Sequence, residues 1–117
     1  MATILVVDDE VPIVDLLRAV FEDEGYRVLV AHNGQDALRL ARAEHPDLVL
    51  SDVMMPGMSG VALAAALHTD PAMGATAVIL MSAVGAPHSE ETWMVTFVSK
   101  PFAIAHVLAL VARFVVA

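Results

Sequence analysis

The chain has 117 residues, contains no cysteine, and carries 14 acidic against 6 basic side chains, for a formal net charge of −8. This length predicts a single domain over residues 1–117, and the lack of cysteine excludes disulfides and thiolate metal sites. The acidic balance argues against direct nucleic-acid binding, which requires a basic surface. No apolar run reaches the ~18 residues that a membrane span needs, and the N-terminus lacks the basic region of a secretory signal. We therefore expect a cytoplasmic location and no membrane contact.

Short apolar runs alternate along the chain with stretches of helical periodicity. The first run, Thr3–Val7, is rich in β-branched residues, ends at an acidic cluster and predicts a buried strand. The predicted strands span residues 3–7, 26–30, 48–51, 77–81 and 94–98. The first predicted helix begins at Val11 and is capped near Gly25. The second begins at Asn33-Gly34 and is broken at residues 45–47. The last two span residues 60–68 and 102–116. Strands that alternate with helices in this way predict an α/β fold with a parallel sheet covered on both faces.

Several punctuating residues support these boundaries. Pro12 suits the first turn of the first helix, and Gly25 suits its C-terminal end. Ser59 is a plausible N-cap for the third helix. The segment 84–92 is the hardest to interpret, because Gly85 and Pro87 leave room for only a short helix.

Four of the five predicted strands end in residues that are able to do chemistry. In chain order these are the pair Asp8-Asp9, then Asp52, Ser82 and Lys100. In a doubly wound sheet such strand ends gather at one edge. Three neighbouring carboxylates repel one another and require protons or a hard cation, and oxygen ligands of this kind suit Mg²⁺.

An aspartate beside a cation is able to act as a nucleophile toward a phosphoryl group. Lys100 is a point charge that could hold one phosphoryl oxygen, and the Ser82 hydroxyl could bind a second. The product would be an aspartyl phosphate at Asp52, with about 1.5–2 negative charges. We interpret Glu10, which follows the acidic pair, as a solvated acid of the first helical turn.

These motifs together resemble the receiver domain of two-component response regulators, over essentially the whole chain. The resemblance is carried by Asp8-Asp9, by the run DVMMPGMSG from Asp52 to Gly60, by Ser82-Ala83 and by Lys100-Pro101-Phe102. It implies a flavodoxin-like doubly wound five-stranded sheet in the order 2-1-3-4-5. It also implies roles for single residues: Asp52 as phosphoacceptor, Asp8, Asp9, Asp52 and the backbone carbonyl of Met54 as Mg²⁺ ligands, Lys100 as phosphoryl partner, and Ser82 and Phe97 as switch residues.

The resemblance further implies partners. A sensor histidine kinase or a histidine phosphotransfer protein would supply the phosphoryl group. The conformational switch would control a downstream protein or an attached output domain, and a phosphorylation-dependent homodimer is open. The domain would catalyse its own phosphoryl transfer without acting as an enzyme on an external metabolite.

The chain departs from the family pattern at two places. Ser82 and Lys100 are 18 positions apart, shorter than in the family by roughly four residues, or about one helical turn. The fourth helix of the family, which would lie here, is therefore expected to be short or irregular. Phe97 lacks a hydroxyl, so a switch at this position would depend on burial alone.

Three other functions are compatible with an α/β domain of this size. An aspartate-nucleophile phosphatase would want a second acid two residues after the nucleophile, and Asp52 is followed by Val53-Met54. A flavodoxin-like cofactor binder would want a Gly/Ser/Thr-rich phosphate loop, where this chain has acids. A receiver-like module that binds proteins without phosphorylation stays open because of the shortened segment before Lys100.

Overall fold

The computed structural model describes residues 1–83 and 95–116 and places five strands in one parallel sheet of order β2-β1-β3-β4-β5. The strands are β1 (Thr3–Val7), β2 (Arg27–Ala31), β3 (Leu48–Asp52), β4 (Ala77–Ser82) and β5 (Val95–Ser99). The α-helices of the described ranges are α1 (Val11–Asp23), α2 (Gly34–Glu44), α3 (Gly60–Thr69) and α4 (Ile104–Ala112), and a 3₁₀ turn spans Pro71–Met73. The predicted fold class and strand order are confirmed. The short helix expected between Ser82 and β5 lies outside the described residues.

Two apolar layers, one on each face of the sheet, form the core. Because side chains alternate along a strand, Ile4 and Val6 enter one layer and Leu5 and Val7 enter the other. The first layer includes the buried stripes of α1 and α4, and the second includes those of α2 and α3. Burial of a large aliphatic side chain contributes about 1.5–3 kcal/mol. The two covered faces account for the apolar composition of 58%.

The last helix is shorter than its apolar pattern predicts. It begins at Ile104 and ends at Ala112, not at 102 and 116. After it, the N–H of Phe114 donates to the carbonyl of Val111 at 3.0 Å, a bond three residues back that tightens the turn. Val115 still packs against the core without being helical. The apolar spacing extends past the end of the helix because Val115 still contacts the core.

The register of the strands brings their C-terminal ends to one edge of the sheet. Val7 of β1 lies opposite Ser51, Asp52 opposite Met81, and Ser82 opposite Ser99. The residues that follow these pairs are therefore neighbours in space although they are far apart in sequence.

Asp47 marks the opposite end of β3. Its carboxylate accepts the N–H of Thr3 at 2.8 Å, and its backbone bonds Thr3 and Ala77. This contact aligns the N-terminal ends of three strands, away from the edge that carries the acids.

Among the described residues, no helix has the length and apolarity needed to cross a membrane.

Candidate functional site

Asp52 ends β3 and is 7% exposed. Burial, and then the negative charge of Asp8, raise the pKa of its carboxyl above the ordinary value. The cation of Lys100 and a hydrogen bond from the backbone of Met54 act in the opposite direction and do not cancel this effect. The Ser51 hydroxyl donates to the backbone carbonyl of Asp52 at 3.0 Å, which helps to fix the strand end. Asp52 is therefore a buried carboxylate whose charge is costly in the free protein.

Asp8 and Asp9 lie beside it. Asp8 is fully buried, and its carboxylate accepts the N–H of Glu10 at 2.9 Å. Asp9 is exposed. Asp8, Asp9 and Asp52 can each present an oxygen such that the three oxygens lie within 4.8 Å of one another. An all-oxygen group that is partly open to water suits a hard divalent cation such as Mg²⁺, so the residues present fit that ion.

Lys100 is the cation of the site, and its side chain is 14% exposed. Its Nζ atom lies 2.9 Å from Oδ2 of Asp8, 3.5 Å from Oδ1 of Asp52 and 3.7 Å from Oε2 of Glu10. Burial alone would lower the pKa of Lys100, but the hydrogen bond to Asp8 and the charges of Asp8, Asp52 and Glu10 raise it overall. Lys100 is therefore held in its charged form within reach of Asp52.

Glu10 is the contact that the sequence did not reveal. We expected a solvated acid, and its side chain is indeed 60% exposed, but it also pairs with Lys100. The only local signal was its position directly after two acids. The pairing itself joins residues 90 positions apart and depends on the sheet order.

Ser82 and Phe97 are placed on neighbouring strands of this half of the sheet. Ser82 is 1% exposed at the end of β4, and its backbone carbonyl accepts the N–H of Lys100 at 2.9 Å. Phe97 is partly buried and packs against the apolar layer of α2 and α3. The structure thus brings Ser82 to the same edge as Asp52 and Lys100, while Phe97 lies within β5. Their switch roles stay predictions.

The loop between β3 and α3, residues 53–59, is closed at its base by Gly60. A Cβ atom on Gly60 would overlap the backbone oxygen of Asp52 and lie 3.0 Å from the Cα of Val53. The N–H of Gly60 also donates to the carbonyl of Val53 at 2.9 Å. The predicted N-cap is confirmed, since Ser59 accepts the N–H of Ala62 at 3.1 Å. Gly60 thus holds the backbone of the buried aspartate in place.

The other side of the loop rests on the first turn of α2. A Cβ atom on Gly34 would lie 2.6 Å from the Cβ of Met58, and one on Gly57 would lie 3.2 Å from the amide nitrogen of Gln35. Gly57 has a φ of +79°, which favours glycine. The local sequence does not indicate these contacts, because the partner that each glycine touches is remote in the chain or across the loop.

The fold and the site together define a class of protein. Its members are doubly wound α/β domains with an acidic group and a lysine at the carboxyl edge of the sheet. The sequence-family model of the response regulator receiver domain matches residues 4–112 of this chain. The chain belongs to the response regulator receiver family.

Curated relatives and solved structures agree with this assignment. Protein PilH of Pseudomonas aeruginosa is 43% identical over 82 residues, which cover 70% of this chain and 68% of PilH. The chain spans about half (48%) of PhoB, the phosphate regulon transcriptional regulatory protein of the same organism, at 35% identity over 111 residues, 92% of this chain.

Among solved structures, the chemotaxis protein CheY4 of Vibrio cholerae superposes with a TM-score of 0.90 at 28% identity, covering 98% of this chain and 99% of that one. The response regulator TrrA of Thermotoga maritima, in complex with Mg²⁺–BeF, has a TM-score of 0.87 at 32% identity, covering 98% and 100%. TrrA has also been solved in complex with the histidine kinase ThkA.

Proposed function

We propose that this chain is a phosphoacceptor domain of a two-component phosphorelay, which receives a phosphoryl group on Asp52 from a sensor histidine kinase or a histidine phosphotransfer protein. The observation that carries the proposal is the buried carboxylate of Asp52, with Lys100 at 3.5 Å and two further acids in reach of a common cation. Similarity to TrrA, which was solved with a histidine kinase, supports the donor class.

In the proposed step, a carboxylate oxygen of Asp52 forms a bond to the phosphorus of the donor phosphohistidine. The bond from phosphorus to the imidazole nitrogen breaks, and the electron pair leaves with the imidazole, which accepts a proton from water. Lys100, already between Asp8 and Asp52, holds a phosphoryl oxygen through charge. The Ser82 hydroxyl binds another oxygen of the acyl phosphate. The domain performs this step on its own side chain and acts on no external metabolite.

Asp8, Asp9, Asp52 and the backbone carbonyl of Met54 are the residues that would hold Mg²⁺. When bound, the ion offsets the repulsion among the acids and the charge of the phosphoryl group. Similarity to TrrA, which was solved with Mg²⁺–BeF, supports this choice of ion.

The test is an intact-mass measurement on the whole chain after incubation with Mg²⁺ and a small phosphodonor. We expect a gain of one phosphoryl group that is lost on treatment with hydroxylamine, as an acyl phosphate requires. No gain with any small donor or purified histidine kinase would instead favour the second candidate, a receiver-like module that binds proteins without phosphorylation.

The electrostatics of Asp52 predict how pH and Mg²⁺ act on stability. The pKa of Asp52 is raised above 3.8 in the folded protein, so ionised Asp52 destabilises the metal-free fold, and this penalty grows as pH rises from 3.8 through the raised folded pKa. At pH 7 in EDTA, Asp52→Asn is therefore expected to unfold at a higher temperature than the wild type. The difference should shrink as pH falls into that window.

Mg²⁺ is expected to act against this difference. At tenfold excess over its dissociation constant it should stabilise the wild type by about 1.4 kcal/mol and the variant by clearly less. Thermal unfolding with and without Mg²⁺ checks both signs. A variant that is less stable than the wild type in EDTA and gains equally from Mg²⁺ would contradict the proposed metal site.

Downstream of phosphorylation, the domain would switch through Ser82 and Phe97 and control a partner or an attached output domain, in the cytoplasm. A phosphorylation-dependent homodimer through the last helix is disfavoured, because Leu110 of that helix is only 8% exposed and packs in the core. Light scattering with and without a phosphoryl analogue tests it, and one unchanged monomeric mass would remove it.

A further inference from the structure

Within residues 1–83 and 95–116, Lys100 is shared among three carboxylates that differ sharply in their surroundings. Asp8 is fully buried and lies closest to Nζ, at 2.9 Å, and Asp52 follows at 3.5 Å with a side chain that is 10% exposed. Glu10, at 3.7 Å, keeps 60% of its side chain in contact with solvent. Glu10 is therefore the partner of Lys100 that lies at the rim of the site.

Glu10 also stands apart from the three acids that can share one cation. Those are Asp8, Asp9 and Asp52. A cation held by them compensates their charges first, and it leaves the carboxylate of Glu10 at the rim, beside the one lysine of the site. A phosphoryl group that contacts Lys100 would lie close to this negative charge, because Oε2 of Glu10 is 3.7 Å from Nζ. It must also compete with Glu10 for Lys100.

We infer that Glu10 is a specificity-determining residue of the phosphoryl-transfer site, one that slows uptake from small donors more strongly the greater their negative charge. The inference rests on the proposed function. Glu10 forms no bond to phosphorus. It acts through its charge at the rim and through its contact with Lys100. A large protein donor brings binding contacts of its own, whereas a small anionic phosphodonor has only its charge to bring it to the site.

A charge at this position must act with opposite sign on a cation and on an anion. Removing it should weaken Mg²⁺ binding and accelerate phosphoryl uptake at saturating Mg²⁺. Loss of packing or of local order would instead weaken both. The opposite signs therefore distinguish an electrostatic role from a merely structural one.

The experiment compares the wild type with Glu10→Gln and with the matched control Glu24→Gln. Glu24 is an exposed acid at the other end of α1, so both variants remove one negative charge from the same net charge. The donors are acetyl phosphate, a dianion at neutral pH, and phosphoramidate, a monoanion. In either case a bond forms from Asp52 oxygen to phosphorus. The donor bond that breaks is P–O with acetate leaving, or P–N with ammonia leaving.

For Glu10→Gln at low ionic strength we expect uptake to rise about tenfold with the dianion and about threefold with the monoanion, as one nearby charge in a water-like dielectric predicts. Both gains should shrink at high salt. Calorimetric titration should show about three- to tenfold weaker Mg²⁺ binding. Glu24→Gln should match the wild type in each measurement.

Equal rates for Glu10→Gln and the wild type, equal gains with the two donors, or a gain that Glu24→Gln reproduces would overturn the inference. A wild type that takes up no phosphoryl group from any donor is a different result. It would overturn the proposed function itself, and calorimetry of Mg²⁺ binding would still report the charge effect of Glu10.

Discussion

Replacement of Asp52 by asparagine is expected to abolish phosphoryl uptake, with a fall of about 10⁴-fold or more in rate, as is typical when a nucleophile is removed. The amide is close in size to the carboxylate but has no charged oxygen to attack phosphorus. The fold should persist, because Lys100 keeps its 2.9 Å contact with Asp8. Intact mass after incubation with Mg²⁺ and acetyl phosphate checks the result.

Asp47→Asn is the matched control for this experiment. Asp47 precedes the same strand, and its carboxylate accepts the N–H of Thr3 at the opposite edge of the sheet. An asparagine there keeps an acceptor oxygen, so uptake should equal that of the wild type. If Asp52→Asn gains the same mass as the wild type, the phosphoryl group sits elsewhere and the assignment of Asp52 is wrong.

Gly60→Ala is expected to lower the free energy of unfolding by about 1–3 kcal/mol and to slow phosphoryl uptake per folded molecule. Overpacking of a tight site costs about this much. The added methyl group would overlap the backbone oxygen of Asp52 and press on the Cα of Val53. These are backbone atoms, which cannot move aside as the end of a flexible side chain can. The strand end that carries the nucleophile must therefore shift.

Gly74→Ala provides the contrast. The nearest atom to a Cβ on Gly74 is the carbonyl oxygen of Pro71, at 3.9 Å, and its φ of −62° suits alanine. Here the change should be neutral or slightly stabilising, by up to about 1 kcal/mol, because alanine lowers the entropy of the unfolded chain. Urea unfolding of both variants measures the difference. Equal stability of the two would show that the loop adapts, and that Gly60 does not fix Asp52.

Much of the fold was predictable because its signals are local. Residues 4–7 and 48–50 are uninterrupted apolar runs, as strands buried on both faces require. Asn33 and Ser59, at the start of α2 and α3, have side chains that suit an N-cap, and the structure uses both in that way. The last helix was overestimated because apolar spacing reports burial, and Val115 is in contact with the core without being helical.

The candidate site, too, was predictable in part from the sequence. By itself, the sequence determined which chemistry is available at the end of each apolar run: acids at the ends of β1 and β3, a hydroxyl at the end of β4 and a lysine at the end of β5. Only the tertiary structure decided which of these groups touch. Lys100 meets Asp8 across 92 positions. It meets Glu10 because the carboxyl ends of β1 and β5 lie at the same edge of one parallel sheet.

The glycines show the physical reason most clearly. Gly60 and Gly74 are both turn or helix-end residues in the sequence, and nothing local distinguishes them. In the fold, a Cβ on Gly60 would overlap the backbone of Asp52, whereas one on Gly74 would make only an ordinary van der Waals contact with the carbonyl oxygen of Pro71. Residue type and spacing reflect the preferences of the chain next to itself, whereas contact distances depend on the packing of distant segments. Packing of this kind sets the charge around Lys100 and the position of Asp52.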